Sequence, residues 1–182
     1  MISKASLRQT YLDRRMKILP EARESCSGRA YDIFFKNVKI PSGAIVSGYW
    51  PVHAEMNDLS ILKELRRRGH VTALPRVAGK GDPLEFFPWD ETTPMAAGKF
   101  DIAEPAAGKA VKPDVLIVPL LAFDAERHRL GYGAGFYDRT IKGLRSVLTI
   151  GLAYEDQLCD KLPSEAHDVR MDMIVTDKKV YT

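Results

Sequence analysis

Cysteine is scarce in this chain. Cys26 and Cys159 are the two, far apart and without a CxxC pair. That argues against a disulfide framework and fits a reducing compartment. Long apolar runs are also missing: the longest, residues 115–123, falls far short of the roughly 20 residues that span a bilayer. The opening stretch MISKASLRQTYLDRR turns charged at once and has no apolar signal core, so a cytoplasmic location is expected. No block of one charge sign occurs. Lys and Arg total 27 against 24 Asp and Glu, a formal charge of +3, and the short RRR at 66–68 reads as a solvated helix face. Neither nucleic acid nor membrane is implied as a partner, nor an obligate protein partner; a mild positive balance suits an anionic small molecule. His53, His70, His128 and His167 show no metal-ligand spacing. Internal repeats and low-complexity stretches are absent.

What is present is an ordinary globular balance, 45% hydrophobic and 28% charged over 182 residues. That suits one domain over 1–182 with a full core. Residues 4–19 carry Leu7, Tyr11, Leu12, Met16 and Leu19 at three- and four-residue intervals, which predicts an amphipathic helix. Pro20 starts a second helix through Ala30, Phe34 and Phe35. Strands are predicted at 44–50, 71–77, 84–89, 114–124, 147–154 and 172–177, with a short tail strand after the last. Asn57 or Asp58 caps an intervening helix that Gly69 stops. Residues 95–113, rich in Gly, Pro and Ala, read as an ordered surface loop, and 137–144 as a helix. Strands alternating with helices imply an α/β fold of three α/β/α layers around a mostly parallel central sheet. In such sheets ligands bind beyond the carboxyl ends of the strands. Trp50, Arg76, the segment after 128 and Tyr154 are therefore expected along one edge.

That segment, RLGYGAGFYDR at 129–139, places three glycines at alternate positions. Ordering them is costly, because glycine loses the most backbone freedom on folding. Two phosphate motifs fail here. The third glycine of a dinucleotide fingerprint would fall at Phe136, and no Gly-Lys-Ser/Thr occurs. Yet Gly131, Gly133 and Gly135 lead into a predicted helix. Bare amides there can close around phosphate oxygens, and the helix start adds partial positive charge. Arg129 and Arg139 flank the loop with further charge. The alternative is a glycine-rich turn without a ligand. Tyr132, Phe136 and Tyr137, read as exposed, suit stacking on a planar heterocycle. Asp138 adds a carboxylate where anions would gather, a conflict that a magnesium ion beside the phosphates resolves.

The longer stretch LLAFDAERHRLGYGAGFYDR resembles the signature of the 5-formyltetrahydrofolate cyclo-ligase (5,10-methenyltetrahydrofolate synthetase) family. KASLR, PVHAEMND, LPRV, GKFDIAEP and EAHDVRMDMIVT follow in family order, so the likeness covers almost the whole chain. It implies the family's three-layer fold and an ATP-dependent ligase. That reaction closes 5-formyltetrahydrofolate to 5,10-methenyltetrahydrofolate through a phosphorylated formyl oxygen, releasing ADP and phosphate, with Mg2+ as cofactor and no covalent nucleophile. The resemblance assigns ATP to Lys4, Arg8, Arg129, Leu130, Gly131, Tyr132, Gly133, Ala134, Gly135, Phe136 and Tyr137. It assigns folate to Trp50 and Glu55, and again to Tyr132, Gly133, Ala134, Gly135 and Phe136. Asp138 and Asp168 match its magnesium-linked carboxylates.

Read without the family, Lys4 and Arg8 are a solvated basic face, and Asp138 and Asp168 a helix cap and a loop carboxylate. Trp50 fits the core as well as a contact. Arg76 fits a phosphate or folate contact as well as plain surface. Two positions depart from the family pattern: Phe136 stands where tyrosine is usual, and Ala134 where many members carry lysine. Two rival functions remain on the residues alone. One is a sugar-phosphate isomerase with Glu55 as base; the other is a nucleotide- or folate-binding module without turnover.

Overall fold

The computed structural model describes residues 3–165 and 168–182; His167 lies outside them. Helix α1 (Lys4–Met16) starts at Ser3, whose side-chain oxygen accepts from the Ser6 amide. Helix α2 (Pro20–Asn37) begins on its proline, whose missing N–H is no loss there. Then follow β1 (Ile45–Ser47), α3 (Leu59–Arg67), β2 (Val71–Val77) and β3 (Leu84–Pro88). Next come β4 (Met95–Ala97), a single 3-10 turn (Lys99–Asp101), β5 (Ala103–Pro105), β6 (Val115–Pro119) and β7 (Ala122–Asp124). The chain ends with β8 (Arg129–Leu130), α4 (Phe136–Gly143), β9 (Leu148–Leu152), β10 (Leu158–Cys159), β11 (Met173–Val175) and β12 (Val180–Tyr181).

Seven strands form the main sheet in the order β12-β11-β9-β6-β1-β2-β3. The inner pairs are parallel; the edge strands β3 and β12 are antiparallel to their neighbours. Period-2 alternation sorts the core. Val115 and Ile117 of β6 pack on one face with Phe34 of α2 and Ile61, Leu62 and Leu65 of α3. Leu116 and Val118 pack on the other face, where Phe136, Tyr137 and Ile141 of α4 close the layer. β6 has no solvent-facing side and is apolar throughout its buried length, as a central parallel strand must be. The chain leaves β1 toward β2 on one side and later returns through β6 toward β9 on the other. That makes the carboxyl ends of β1 and β6 a topological switch point.

Two local expectations need correction and a third is narrowed. Residues 114–124 are not one strand: after Pro119 the chain leaves the sheet and β7 joins a small sheet with β8 and β10. The Leu120 carbonyl accepts from Arg15 and Gln157, and the Leu121 carbonyl from Gln157, so side chains take the bonds a continued ladder would need. Residues 95–113 hold a two-stranded ladder, β4 with β5. At α3, Asn57 Oδ1 accepts from the Leu59 amide, whereas the Asp58 carboxylate turns inward to the Tyr49 amide at 2.9 Å.

That inward carboxylate fixes the neck after β1. A Cβ on Gly48 would land on Asp58 Oδ2 and sit 2.8 Å from Leu62 Cδ1. Gly48→Ala is therefore expected to destabilise the fold by about 3 kcal/mol, through overpacking and a disturbed buried hydrogen bond. Urea denaturation checks this; a loss within ordinary surface-mutation scatter would contradict it.

Candidate active site

The switch point opens into a cleft of about 840 Å³, near the upper end for small-molecule sites. Every residue that the family resemblance assigns to ATP, folate or magnesium lines it: Lys4 and Arg8 from α1, Trp50 and Glu55 after β1, residues 129–138, and Asp168. The sequence separations are wide, and the parallel topology brings them together. Two of the residues expected along this edge do lie at the carboxyl ends of their strands but do not line the cleft. Arg76 donates to the Pro105 carbonyl, pairs with Glu104 at 3.4 Å and lies 3.9 Å from the Phe87 ring centroid. It fastens β5 to β2. Tyr154 is buried and donates to the Glu55 carbonyl at 3.3 Å.

The glycine loop is held by arginines acting on its carbonyls. Arg8 Nε donates to Gly131 O at 2.9 Å, and Arg139 Nη2 to Ala134 O at 2.6 Å. Gly133 and Gly135 take φ of +101° and +67°, which side chains resist. At Gly133 a Cβ would also come within 3.1 Å of the Arg8 guanidinium carbon. Gly135 is the residue just before α4, so the loop runs directly into a helix start. Of the three aromatics read as exposed, only Tyr132 is; Phe136 and Tyr137 are half-buried against the core.

Arg129 does not flank the loop as free charge. Its Nη1 donates to Val169 O at 2.7 Å and its Nη2 to Asp138 Oδ1 at 2.9 Å, while the Val169 amide donates to the same Asp138 oxygen at 3.1 Å. This three-way clamp sets the segment bearing Asp168 against α4. Asp168 Oδ2 accepts from Lys4 Nζ at 2.7 Å and from the Glu165 amide at 2.7 Å. No cluster of three or more His, Cys, Asp or Glu side chains able to hold a metal occurs among the described residues. Asp138 and Asp168 both line the cleft beside the loop, each with a basic partner, Arg129 or Lys4; oxygen donors of this kind are the chemistry magnesium takes, one or two carboxylates plus phosphate oxygens and water.

The inner end of the cleft is a buried polar knot. Glu55 Oε1 accepts from the Tyr132 hydroxyl at 2.9 Å, and Oε2 from the Val52 amide at 2.9 Å. Arg15, only 1% exposed, donates to the Tyr132 oxygen, to His53 O at 2.9 Å and to Leu120 O at 3.1 Å. Burial raises the Glu55 pKa; the nearby Arg15 charge, the Val52 amide and the Tyr132 hydroxyl oppose that rise. Burial likewise pushes the Tyr132 hydroxyl up, so it stays a donor.

Sequence reasoning missed Arg15 and Phe100. Arg15 lies one heptad after Arg8 and four residues after Tyr11, on the stripe that buries α1; a charge on an apolar stripe was the available signal. Phe100 is 69% exposed at the tip of the β4–β5 ladder, with φ of +62°, and its ring lies 6.1 Å from that of Phe136. Nothing in its local pattern distinguishes it from a loop residue.

The Arg129 clamp yields a stability test. Arg129→Lys keeps the charge but loses the fork that engages Val169 and Asp138 together. A loss of about 2 kcal/mol is expected for these charge-assisted bonds, together with faster amide exchange at Val169. Unchanged exchange there would show that the clamp does not hold the segment.

Residues 1–177 match the profile of the 5-formyltetrahydrofolate cyclo-ligase family. The 5-formyltetrahydrofolate cyclo-ligase of Mycolicibacterium smegmatis is 35% identical, with 97% of this chain and 95% of that protein covered. The Escherichia coli protein of the same name is 31% identical, with 92% and 97% covered. Among solved structures, the 5,10-methenyltetrahydrofolate synthetase of Aquifex aeolicus superposes with a TM-score of 0.85 at 29% identity, over 98% of this chain and 92% of that one. The synthetase of Mycoplasma pneumoniae shares the fold at a TM-score of 0.76 and 23% identity, over 97% and 100%. The glycine loop, the cleft that gathers both halves of the candidate site and this near full-length similarity agree: the chain belongs to the 5-formyltetrahydrofolate cyclo-ligase family, whose members are ligases.

Proposed function

We propose that this chain uses ATP to close 5-formyltetrahydrofolate to 5,10-methenyltetrahydrofolate, with ADP and phosphate released. The observation that carries the reading is a single cleft with two chemically distinct ends. One end has bare loop amides at a helix start with Lys4, Arg8 and Arg139 nearby; the other has a buried acceptor carboxylate, Glu55, among Trp50, Tyr132 and Phe136. The first suits a polyphosphate. The second suits a heterocycle with adjacent N–H donors, since a carboxylate accepts two at once.

The chemistry follows from that juxtaposition. A formyl oxygen on nitrogen is a poor leaving group. Its attack on the terminal phosphorus of ATP expels ADP and leaves an iminium phosphate. Nitrogen 10 then attacks the formyl carbon, its proton is lost, and the carbon–oxygen bond breaks to release phosphate. The protein positions the two reactants and stabilises the moving phosphoryl charge. Lys4 and Arg8 hold the nucleotide end, and the amides of Gly131, Gly133 and Gly135 border it. Magnesium, when bound with ATP, supplies charge neutralisation, and Asp138 and Asp168 are the carboxylates that would hold it. Both cysteine thiols have pKa values raised by burial and serve poorly as nucleophiles, which suits a route without a covalent enzyme adduct.

An isomerase would use Glu55 as a base, but the relatives' names do not favour that reading. The deciding experiment incubates the protein with ATP, magnesium and 5-formyltetrahydrofolate and follows the methenyl chromophore. Its absence would remove the ligase reading. A substrate carrying heavy oxygen in the formyl group should give labelled phosphate after one turnover. Label recovered in water instead would rule out activation of that oxygen. Asp138→Asn should lower kcat on the order of 10²-fold while leaving folate affinity nearly intact; near-normal turnover with ordinary magnesium dependence would sink the metal assignment.

A further inference from the structure

We infer that Arg15 is a positioning residue for the folate end of the cleft: through the Tyr132 hydroxyl and at 4.0 Å directly, it holds Glu55 as an oriented anion. The inference rests on the reading of Glu55 as the acceptor for the heterocycle.

The geometry is specific. Arg15 has no route to water, and its guanidinium is fixed by backbone oxygens on two segments, His53 in the loop before Glu55 and Leu120 at the end of β6. The remaining nitrogen points at the Tyr132 hydroxyl, whose proton is thereby directed to Glu55 Oε1. The chain Arg15 to Tyr132 to Glu55 thus has one consistent donor sense. Arginine cannot accept, the tyrosine accepts once and donates once, and the carboxylate only accepts. Reversing any member would leave a buried donor facing a donor.

The same geometry decides the charge. Other groups facing Glu55 oppose its ionisation or stay neutral: Asp58 is a second buried acid, Tyr49 and Tyr154 are buried phenols, and Tyr137 is a half-buried phenol whose pKa burial pushes up. The His53 ring lies 6.1 Å from that of Tyr132. Arg15 is the largest influence that lowers the Glu55 pKa against burial. Without it Glu55 would hold its proton to higher pH. A protonated acid presents an O–H toward ligand N–H groups, so folate affinity would fall and return only as pH rises through the elevated pKa.

Arg15→Leu and Tyr132→Phe separate charge from orientation. Binding of 5-formyltetrahydrofolate is titrated by calorimetry across the pH range in which the protein stays folded, and the KM for ATP is measured beside it. For Arg15→Leu the folate Kd should rise on the order of 10- to 100-fold at the acidic end and recover only at higher pH than in the wild type, with the KM for ATP changed less than about 2-fold. Tyr132→Phe keeps the charge pair and loses only the bridging hydroxyl, so a rise of roughly 5-fold without pH dependence is expected. A folded Arg15→Leu protein with wild-type Kd and flat pH profile overturns the inference, as does an equal loss for ATP and folate. Should Arg15→Leu not fold, an unchanged folate Kd in Tyr132→Phe overturns it. A wild-type chain that binds no 5-formyltetrahydrofolate would instead overturn the assignment of the site itself. A wild type that binds, with Arg15 variants indifferent, overturns only the role of Arg15.

Discussion

A guanidinium taken out of water must find acceptors for its donors, and the position of Arg15 makes that requirement the organiser of the cleft. Arginine cannot shed its charge to lower the cost of burial, as a buried lysine would. Its acceptors come from segments distant in sequence: the loop after β1, the corner where the chain leaves β6, and the glycine loop. Satisfying them fixes three boundaries of the cleft together. It also explains why β6 stops. The Leu120 carbonyl is spent on Arg15 and Gln157, so the chain turns away at the switch point and not further along the sheet.

The glycine loop is the second half of that arrangement. Its glycines allow conformations that side chains resist, but permissiveness alone would leave the loop mobile. Order comes from outside it. Arg8 and Arg139 hold the Gly131 and Ala134 carbonyls, and Tyr132 is anchored between Arg15 and Glu55. Binding the carbonyl oxygens to cations matters electrostatically, since exposed carbonyls would add negative potential beside the loop amides. Helix α1 therefore contributes to both ends of the cleft, Arg8 at one and Arg15 at the other. A long sequence separation from the loop becomes a short physical one.

The parts of this structure legible in the sequence are those with a local signal. The apolar run at 115–118 announced a central strand, Pro20 and Gly69 marked helix boundaries, and alternate glycines marked the loop. The parts that were not legible depend on partners far along the chain. Nothing near Arg76 says that Glu104 and Pro105 will claim it, and nothing near Arg129 says that Val169 and Asp138 will. The break in 114–124 is of the same kind, because the residues that end the strand are Arg15 and Gln157. Short ladders such as β4 with β5 lack enough residues to show a period. Arg15 itself was readable in principle, as a charge on an apolar stripe, but only a structure shows what would make its burial tolerable.

The two departures of the loop from the usual family pattern can be weighed in the same terms. Ala134 removes a lysine from the place where a polyphosphate is expected, and Phe136 removes a hydroxyl. Arg139 lies one helical turn after Gly135, and it folds back so that its guanidinium bonds the Ala134 carbonyl and lies 5.3 Å from the Phe136 ring centroid. The cation missing from the side chain at 134 is thus present at the same turn of the loop by another route. A phenylalanine suits that route. Its unsubstituted ring offers a face to the guanidinium, and it has no hydroxyl to satisfy where the ring is half-buried against Tyr137 and the core below. Position 136 then contributes shape and a face for the Arg139 cation, while the hydrogen bonding on this side of the cleft is carried by Tyr132 and Glu55.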